Sequence, residues 1–175
     1  MFKTISLLAL AAIAAVLIYA ATQPDTFRVQ RTVSIKAPPE KIFALLNDYH
    51  NWPSWSPYEK MDPAMQRTYS GPASGKGSVY EWEGNSSIGT GRMEILESTP
   101  PSKLVIKLDF LKPFEAHNTA EFLLEPKDEH TDVTWAMFGP TPYTAKVMHT
   151  FFNMDKMVGG QFAEGLANLK AAAEK

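Results

Sequence analysis

The sequence predicts an α+β domain in which one curved antiparallel sheet wraps a long C-terminal helix, preceded by a separate apolar helix at the N-terminus. Three observations carry the prediction. The chain opens on a charge-free apolar stretch, continues through alternating segments divided by short turns, and ends on apolar residues spaced by threes and fours. Alternation of period two marks half-buried strands, and spacing of three and four marks one face of a helix. Consecutive strands joined by short turns form a meander, and a sheet with one apolar face buries it against an apolar helix.

Met1-Phe2-Lys3 is a short positive start, and Thr4 to Thr22 carries no charge. A cleaved signal peptide has an apolar region of about 7–15 residues and a small-x-small site, whereas a spanning helix needs about 20 apolar residues. The length favours an uncleaved anchor. A signal peptide is the alternative, with Tyr19-Ala20-Ala21-Thr22 supplying small residues but Ile18 or Tyr19 fitting the distal small position badly. A buried soluble helix does not fit a segment without a polar face. Residues 1–24 are therefore read as anchor or signal peptide and residues 25–175 as one domain. The positive-inside bias keeps Lys3 cytoplasmic. The domain is then membrane-anchored on the non-cytoplasmic (periplasmic or extracellular) side, or secreted after cleavage.

Phe27 to Ile35 alternates, with Phe27, Val29, Arg31, Val33 and Ile35 on one face, and reads as the first strand. Ala37-Pro38-Pro39-Glu40 starts a helix, since proline is tolerated in a first turn, and Ile42, Phe43, Leu45 and Leu46 form its apolar stripe. Asn51 to Tyr58 holds two prolines and two serines, so it is a tight loop or short helix, and its aromatic content turns it inward. Strands follow at Met65–Tyr69, Ser78–Glu83, Gly89–Ser98, Leu104–Phe110, Glu115–Glu125 and Thr131–Phe138. The closing helix carries Met148, Phe151, Phe152, Val158, Phe162, Leu166 and Leu169, interrupted by Gly159-Gly160. Two glycines cost about 1 kcal/mol each inside a helix, so either the helix bends there or something packs on its backbone.

The composition narrows the function. With 17 basic and 19 acidic residues, a net charge of -2 and no Lys/Arg run, the chain gives no case for a nucleic-acid partner. The absence of cysteine excludes disulfides, thiolate chemistry and cysteine-based metal sites. No nucleophile elbow, phosphate loop, dinucleotide fingerprint or His-Glu-x-x-His is present, and neither a cofactor nor a metal is expected. Gly71 to Gly77 is glycine-rich but leads into a strand, which fits a lid and not a nucleotide cradle.

Four segments carry a family resemblance: Val33 to Phe43, Leu46 to Pro57, Gly75 to Trp82 with Gly89 to Met93, and Met154 to Lys170. In this order they resemble the START-like, helix-grip superfamily (SRPBCC), in its polyketide cyclase/dehydrase and lipid-transport branch, over roughly residues 27–175. The resemblance implies a cavity between the sheet and the C-terminal helix that holds lipids, sterols, polyketides or other apolar molecules. It does not fix an activity, because function lives in the site and not in the fold.

The residues expected to line such a cavity are Trp52, Trp55, Tyr58, Tyr80, Trp82, Phe110, Trp135, Met137, Phe152, Met157 and Phe162. Plain core packing competes with this reading at each. For Trp52, Trp55 and Tyr58 sealing the sheet end is the favoured role, while Tyr80, Trp82, Trp135 and Met137 are evenly balanced. Three functions follow. The first is binding or carriage of an apolar small molecule or lipid outside the cytoplasm, near the membrane. The second is a cyclase or dehydratase on a polyketide-like or aromatic substrate, with Asp155, His117, Glu81 and Tyr80 as acid–base candidates. For Asp155 a solvated helix-edge position paired with Lys156 or a loop donor is favoured, and for His117 an exposed sheet face shared with Glu121. The third is a structural or stress-related envelope protein whose cavity has collapsed.

Overall fold

The structure, a computed structural model, describes residues 2–175; Met1 and the side chains of Phe2 and Lys3 lie outside the described residues, and with them the positive start. A helix α1 (Phe2–Thr22) precedes β1 (Thr26–Ile35), α2 (Pro39–Leu46), a 3-10 segment (Tyr49–Ser54) and α3 (Tyr58–Met61). Six strands follow: β2 (Gln66–Ser70), β3 (Val79–Glu83), β4 (Thr90–Thr99), β5 (Lys103–Lys112), β6 (Ala116–Lys127) and β7 (His130–Pro140). Two helices, α4 (Tyr143–Phe151) and α5 (Met154–Ala173), close the chain.

The seven strands form one open antiparallel sheet in the order β1-β7-β6-β5-β4-β3-β2, so β2 to β7 meander and β1 returns to pair with the last strand. The β4–β5 pairing shifts register between Thr90 and Gly91 and again between Ile95 and Glu97. Such bulges bend a sheet and increase its twist. The resulting curve receives α5, which buries Phe162, Leu166, Leu169 and Ala173 against the inner face. That face contributes Ile95, Leu104, Ile106, Phe122, Leu124 and Val133, and α2 contributes Ile42, Phe43 and Leu46. The open curved sheet, the C-terminal helix upon it and the apolar N-terminal helix are those the sequence predicts.

The C-terminal region differs from one continuous helix. The break falls at Phe152–Asn153, where the Asn153 side chain accepts from the Lys156 amide at 3.0 Å and starts α5; asparagine is a strong helix N-cap. Gly159-Gly160 lies inside α5 without interrupting it. Of the two explanations open to the sequence, a group packing on the helix backbone is the one found. The Arg31 guanidinium lies where a Gly159 side chain would project, while nothing stands near Gly160. Arg31 is the one polar residue on the inner face of β1, and it donates two hydrogen bonds of 2.8 and 3.0 Å to the Asp155 carboxylate and one of 3.3 Å to the Asp155 carbonyl. Gly165 is the second close approach, where a Cβ would press on the Trp135 ring and on Pro57. These two glycines let α5 settle onto the sheet.

Candidate functional site

A cavity of about 390 Å³ lies between the sheet and α5. Its floor is the inner face of the sheet: Tyr80 and Trp82 on β3, Met93 on β4, Leu108 and Phe110 on β5, Ala120 on β6, and Trp135 and Met137 on β7. These positions alternate along each strand, so period two alone puts them on one face. Its roof is Met157, Val158, Gln161 and Phe162 on α5. Trp52, Ser56, Tyr58, Glu59, Met61 and Met65 form the end wall, and Ser87 and Ile88 reach in from the turn before β4.

The aromatic wall is a run of stacked and edge-to-face rings. Trp135 stacks on Phe162 at 4.0 Å and 10°, and Phe122 stacks on the sheet side of Trp135 at 5.1 Å. Tyr80 stacks along Trp82 at 6.1 Å, and Trp82 meets Phe110 edge to face at 6.1 Å. The Trp52 indole N–H donates to the Leu46 carbonyl and that of Trp82 to the Ile88 carbonyl. These two indoles thus satisfy their polar edges in the protein and turn apolar bodies to the space, the division that makes tryptophan useful at such surfaces, whereas the buried indole N–H of Trp135 has no partner among the described residues.

Of the residues expected to line a cavity, Trp52, Tyr58, Tyr80, Trp82, Phe110, Trp135, Met137, Met157 and Phe162 do so. Trp55 and Phe152 are brought elsewhere. Trp55 is fully buried behind the wall, its indole N–H on the Leu45 carbonyl and its ring edge-on to Trp135 at 5.5 Å. It supports the lining from the second layer because the 3-10 segment turns it inward past Trp52. Phe152 is 55% exposed, since it ends α4 and falls outside the stripe of α5. The acid–base candidates also separate. Asp155 pairs with Arg31 at the helix edge, and not with Lys156. His117 sits on the outer face against Asp109 at 2.7 Å, and Glu81 is exposed beside Arg92. Only Tyr80 reaches the cavity.

The sequence reading missed Glu59. It is an acid on the one-turn helix α3, 7% exposed, in a mostly apolar wall. Its Oε1 accepts from the Tyr80 hydroxyl at 2.6 Å, and its Oε2 accepts from the Arg67 Nε at 2.7 Å. Arg67 in turn donates to the Met65 carbonyl at 2.8 Å. A buried carboxylate is tolerable only when paired and hydrogen-bonded, and these two donors do that. Burial pushes the Tyr80 phenol well above its ordinary range, and its bond to Glu59 pushes the same way, so Tyr80 stays protonated. Burial alone raises the Tyr58 phenol. The site is thus one ionic corner set in an apolar chamber. Chemically, it can hold an apolar body and offer the unused lone pairs of Glu59 and Tyr80 to a donor.

A family model described as "Polyketide cyclase / dehydrase and lipid transport" matches residues 26–174, nearly the whole of the sheet-and-helix unit. The chain belongs to that family. No curated protein matches it. Among solved structures, the Aha1 dimer from Colwellia psychrerythraea is 20% identical, with 85% of this chain and 96% of that one covered at a TM-score of 0.59. Ginseng major latex-like protein 151 from Panax ginseng is 13% identical, with 87% and 100% covered at 0.60. The di-domain ARO/CYC StfQ from the steffimycin biosynthetic pathway is 14% identical at a TM-score of 0.64, with 85% of this chain but 51% of that one covered. Identities this low carry the fold alone, and family membership carries the expectation of an apolar small-molecule ligand.

Proposed function

We propose that the protein binds and carries a compact apolar molecule bearing one hydrogen-bond-donating group, held between the sheet and α5 at the membrane to which α1 anchors it. The single observation that carries this reading is Glu59, a paired carboxylate and the one charged group lining a mostly apolar cavity. Ligand pockets of this kind are mostly apolar, with a few placed polar groups that orient the ligand. A donor on the ligand finds the Arg67-paired carboxylate of Glu59 in a buried corner, where a charge-assisted hydrogen bond is stronger than a neutral one. The anchoring half of the reading rests on Thr4–Thr22, a helix of mean hydropathy 2.4 that is almost wholly uncovered by the rest of the chain. With Lys3 on the cytoplasmic side by the positive-inside bias, the domain faces away from the cytoplasm.

The test is native mass spectrometry with organic extraction on full-length protein purified from its host's membranes, followed by thermal shift with a panel of hydroxylated ring compounds and their deoxy analogues. We expect one apolar species per chain, and the hydroxyl to improve affinity by about tenfold, the value of a charge-assisted hydrogen bond. Equal affinity for hydroxylated and deoxy ligands removes Glu59 from the reading, and an empty protein that no panel member stabilises removes carriage.

The Glu59–Tyr80 pair also favours a second reading, acid–base chemistry on a polyketide-like or aromatic substrate. A carboxylate and a protonated phenol 2.6 Å apart at the wall of a cavity are a base and an acid already in contact. Glu59→Gln separates the two readings: it weakens binding in a carrier, and abolishes turnover with binding retained in an enzyme.

A further inference from the structure

The sheet register brings the anchor, the cavity mouth and the exposed apolar side chains of the domain to one edge. Thr26 pairs with Pro140, Thr119 with Phe138, Phe110 with Ala116, Thr90 with Lys112 and Glu83 with Thr90. The exit of α1, the start of α4, the β5–β6 turn and the turn before β4 therefore emerge together. Outside α1, every large exposed apolar side chain of the described residues except Leu96 belongs to this edge or to the cavity mouth. Phe114 is 69% exposed on the β5–β6 turn, and Phe151, Phe152 and Met157 are 67%, 55% and 58% exposed where α4 gives way to α5. Met157 also lines the cavity. A concentrated apolar patch on a surface marks an interaction site.

The occupant follows from α1. The Tyr143 hydroxyl donates to the Leu17 carbonyl at 2.9 Å, and Ala20 is fully buried, so α4 packs along the last turns of α1. Leu17 lies five residues before Thr22, about 7.5 Å along the helix axis at 1.5 Å per residue. If α1 spans, the start of α4 is carried to about the depth of 5–10 Å at which an interfacial helix beds its apolar side. The charges permit it. Asp25 is paired with Lys146 at 2.6 Å, Glu115 beside Phe114 is paired with His117 at 3.2 Å, and the stems of Lys112 and Lys156 can snorkel.

Resting on the anchoring reading above, we propose that this edge beds in the bilayer that holds α1, with α4 in the headgroup layer and Phe114 and Phe152 at the acyl boundary. The cavity then opens onto lipid and not onto water, and its ligand exchanges with the bilayer without crossing the aqueous phase.

The chain has no cysteine, so single substitutions Phe114→Cys, Phe152→Cys, Ser102→Cys and Ala11→Cys each take one environment-sensitive fluorophore. Ser102 stands at the opposite sheet edge and Ala11 in the middle of α1. The labelled full-length proteins are reconstituted in phosphatidylcholine vesicles with and without acyl-chain-brominated lipid. Labels at Phe114 and Phe152 are expected to be quenched about twofold or more over Ser102, as residues at the acyl boundary should be. Quenching at Ala11 with Phe114 and Phe152 no different from Ser102 overturns the docking proposal and leaves the anchor standing. No quenching at Ala11 overturns the anchor and the proposal together. All four sites are exposed, so misfolding does not cloud the comparison.

Discussion

Glu59 is held by two donors of unequal consequence. Removing the Tyr80 hydroxyl leaves the carboxylate on Arg67; replacing the carboxylate by an amide leaves one oxygen for two donors and removes the charge that balances the Arg67 guanidinium. Tyr80→Phe should therefore cost about 1.5–3 kcal/mol, the range for a hydrogen bond to a charged group, and Glu59→Gln should cost more. Urea unfolding of the two variants checks the order, and the reverse order would mean that Arg67 contributes little to holding the acid. The glycines of α5 give a sharper contrast. Arg31 occupies the space beside Gly159, while the space beside Gly160 is open. Gly159→Ala must displace the Arg31 guanidinium, the movable end of that side chain, from Asp155 and should bring no gain, while Gly160→Ala should stabilise by up to about 1 kcal/mol through helix propensity. A stabilising Gly159→Ala would show that Arg31 moves aside freely. On the outer face, the hydrogen bond to Asp109 holds His117 above its ordinary 6.5, helped by Glu115. A raised folded value means that the contribution of His117 is complete below 6.5 and is lost as pH rises through the higher folded value. The melting-temperature gap between wild type and His117→Ala should narrow from pH 6 toward pH 9; a gap constant with pH removes the protonated pair.

At the scale of elements, what the sequence shows depends on how local its cause is. Strand alternation shows in the side chains, so β5 and β7 are legible, and with them Phe110, Trp135 and Met137 as inward positions. The break between α4 and α5 is also local, but its signal is a cap. Asn153 supplies it, while the low helix propensity of Gly159-Gly160 looks like a break until Arg31, 128 positions earlier in the chain, supplies the reason for a small residue. Glu59 was illegible for the same reason. Nothing in Pro57-Tyr58-Glu59-Lys60 says that the acid turns inward; that follows from Tyr80 and Arg67, which meet it only once β2 and β3 have paired. Trp55, in the sealing place favoured for it, and Phe152 show the converse. Both are apolar and sit at plausible spacing, but one turn of 3-10 helix and one helix end rotate them off the cavity. Apolar type is read from sequence, while direction at the ends of short elements is set by tertiary contact.

For the whole molecule the governing quantity is the size of the cavity. At about 390 Å³ it lies near the lower end of the 300–1,000 Å³ typical of ligand pockets, which favours a compact ring system or one short chain over a long two-chain lipid. It also separates a carrier from a protein whose interior has collapsed, because the two respond oppositely to filling. Ala120 is the smallest side chain of the cavity floor, set between Ile106 on β5 and Met137 on β7. In Ala120→Phe a ring projects from the middle of the sheet into the chamber. If that space is open in solution, the ring occupies it in a relaxed rotamer, the melting temperature holds within about 4 °C, near 1–2 kcal/mol for a chain of this size, and ligand binding disappears. If the walls close on themselves when empty, the same ring must force Trp135 and Phe162 apart, and the melting temperature falls by more than that amount, as overpacking of a close-packed core requires. Differential scanning calorimetry of the ligand-free variant reads the first quantity and ligand titration the second; a large fall in stability would transfer the protein from the carriers to the envelope proteins with a filled interior.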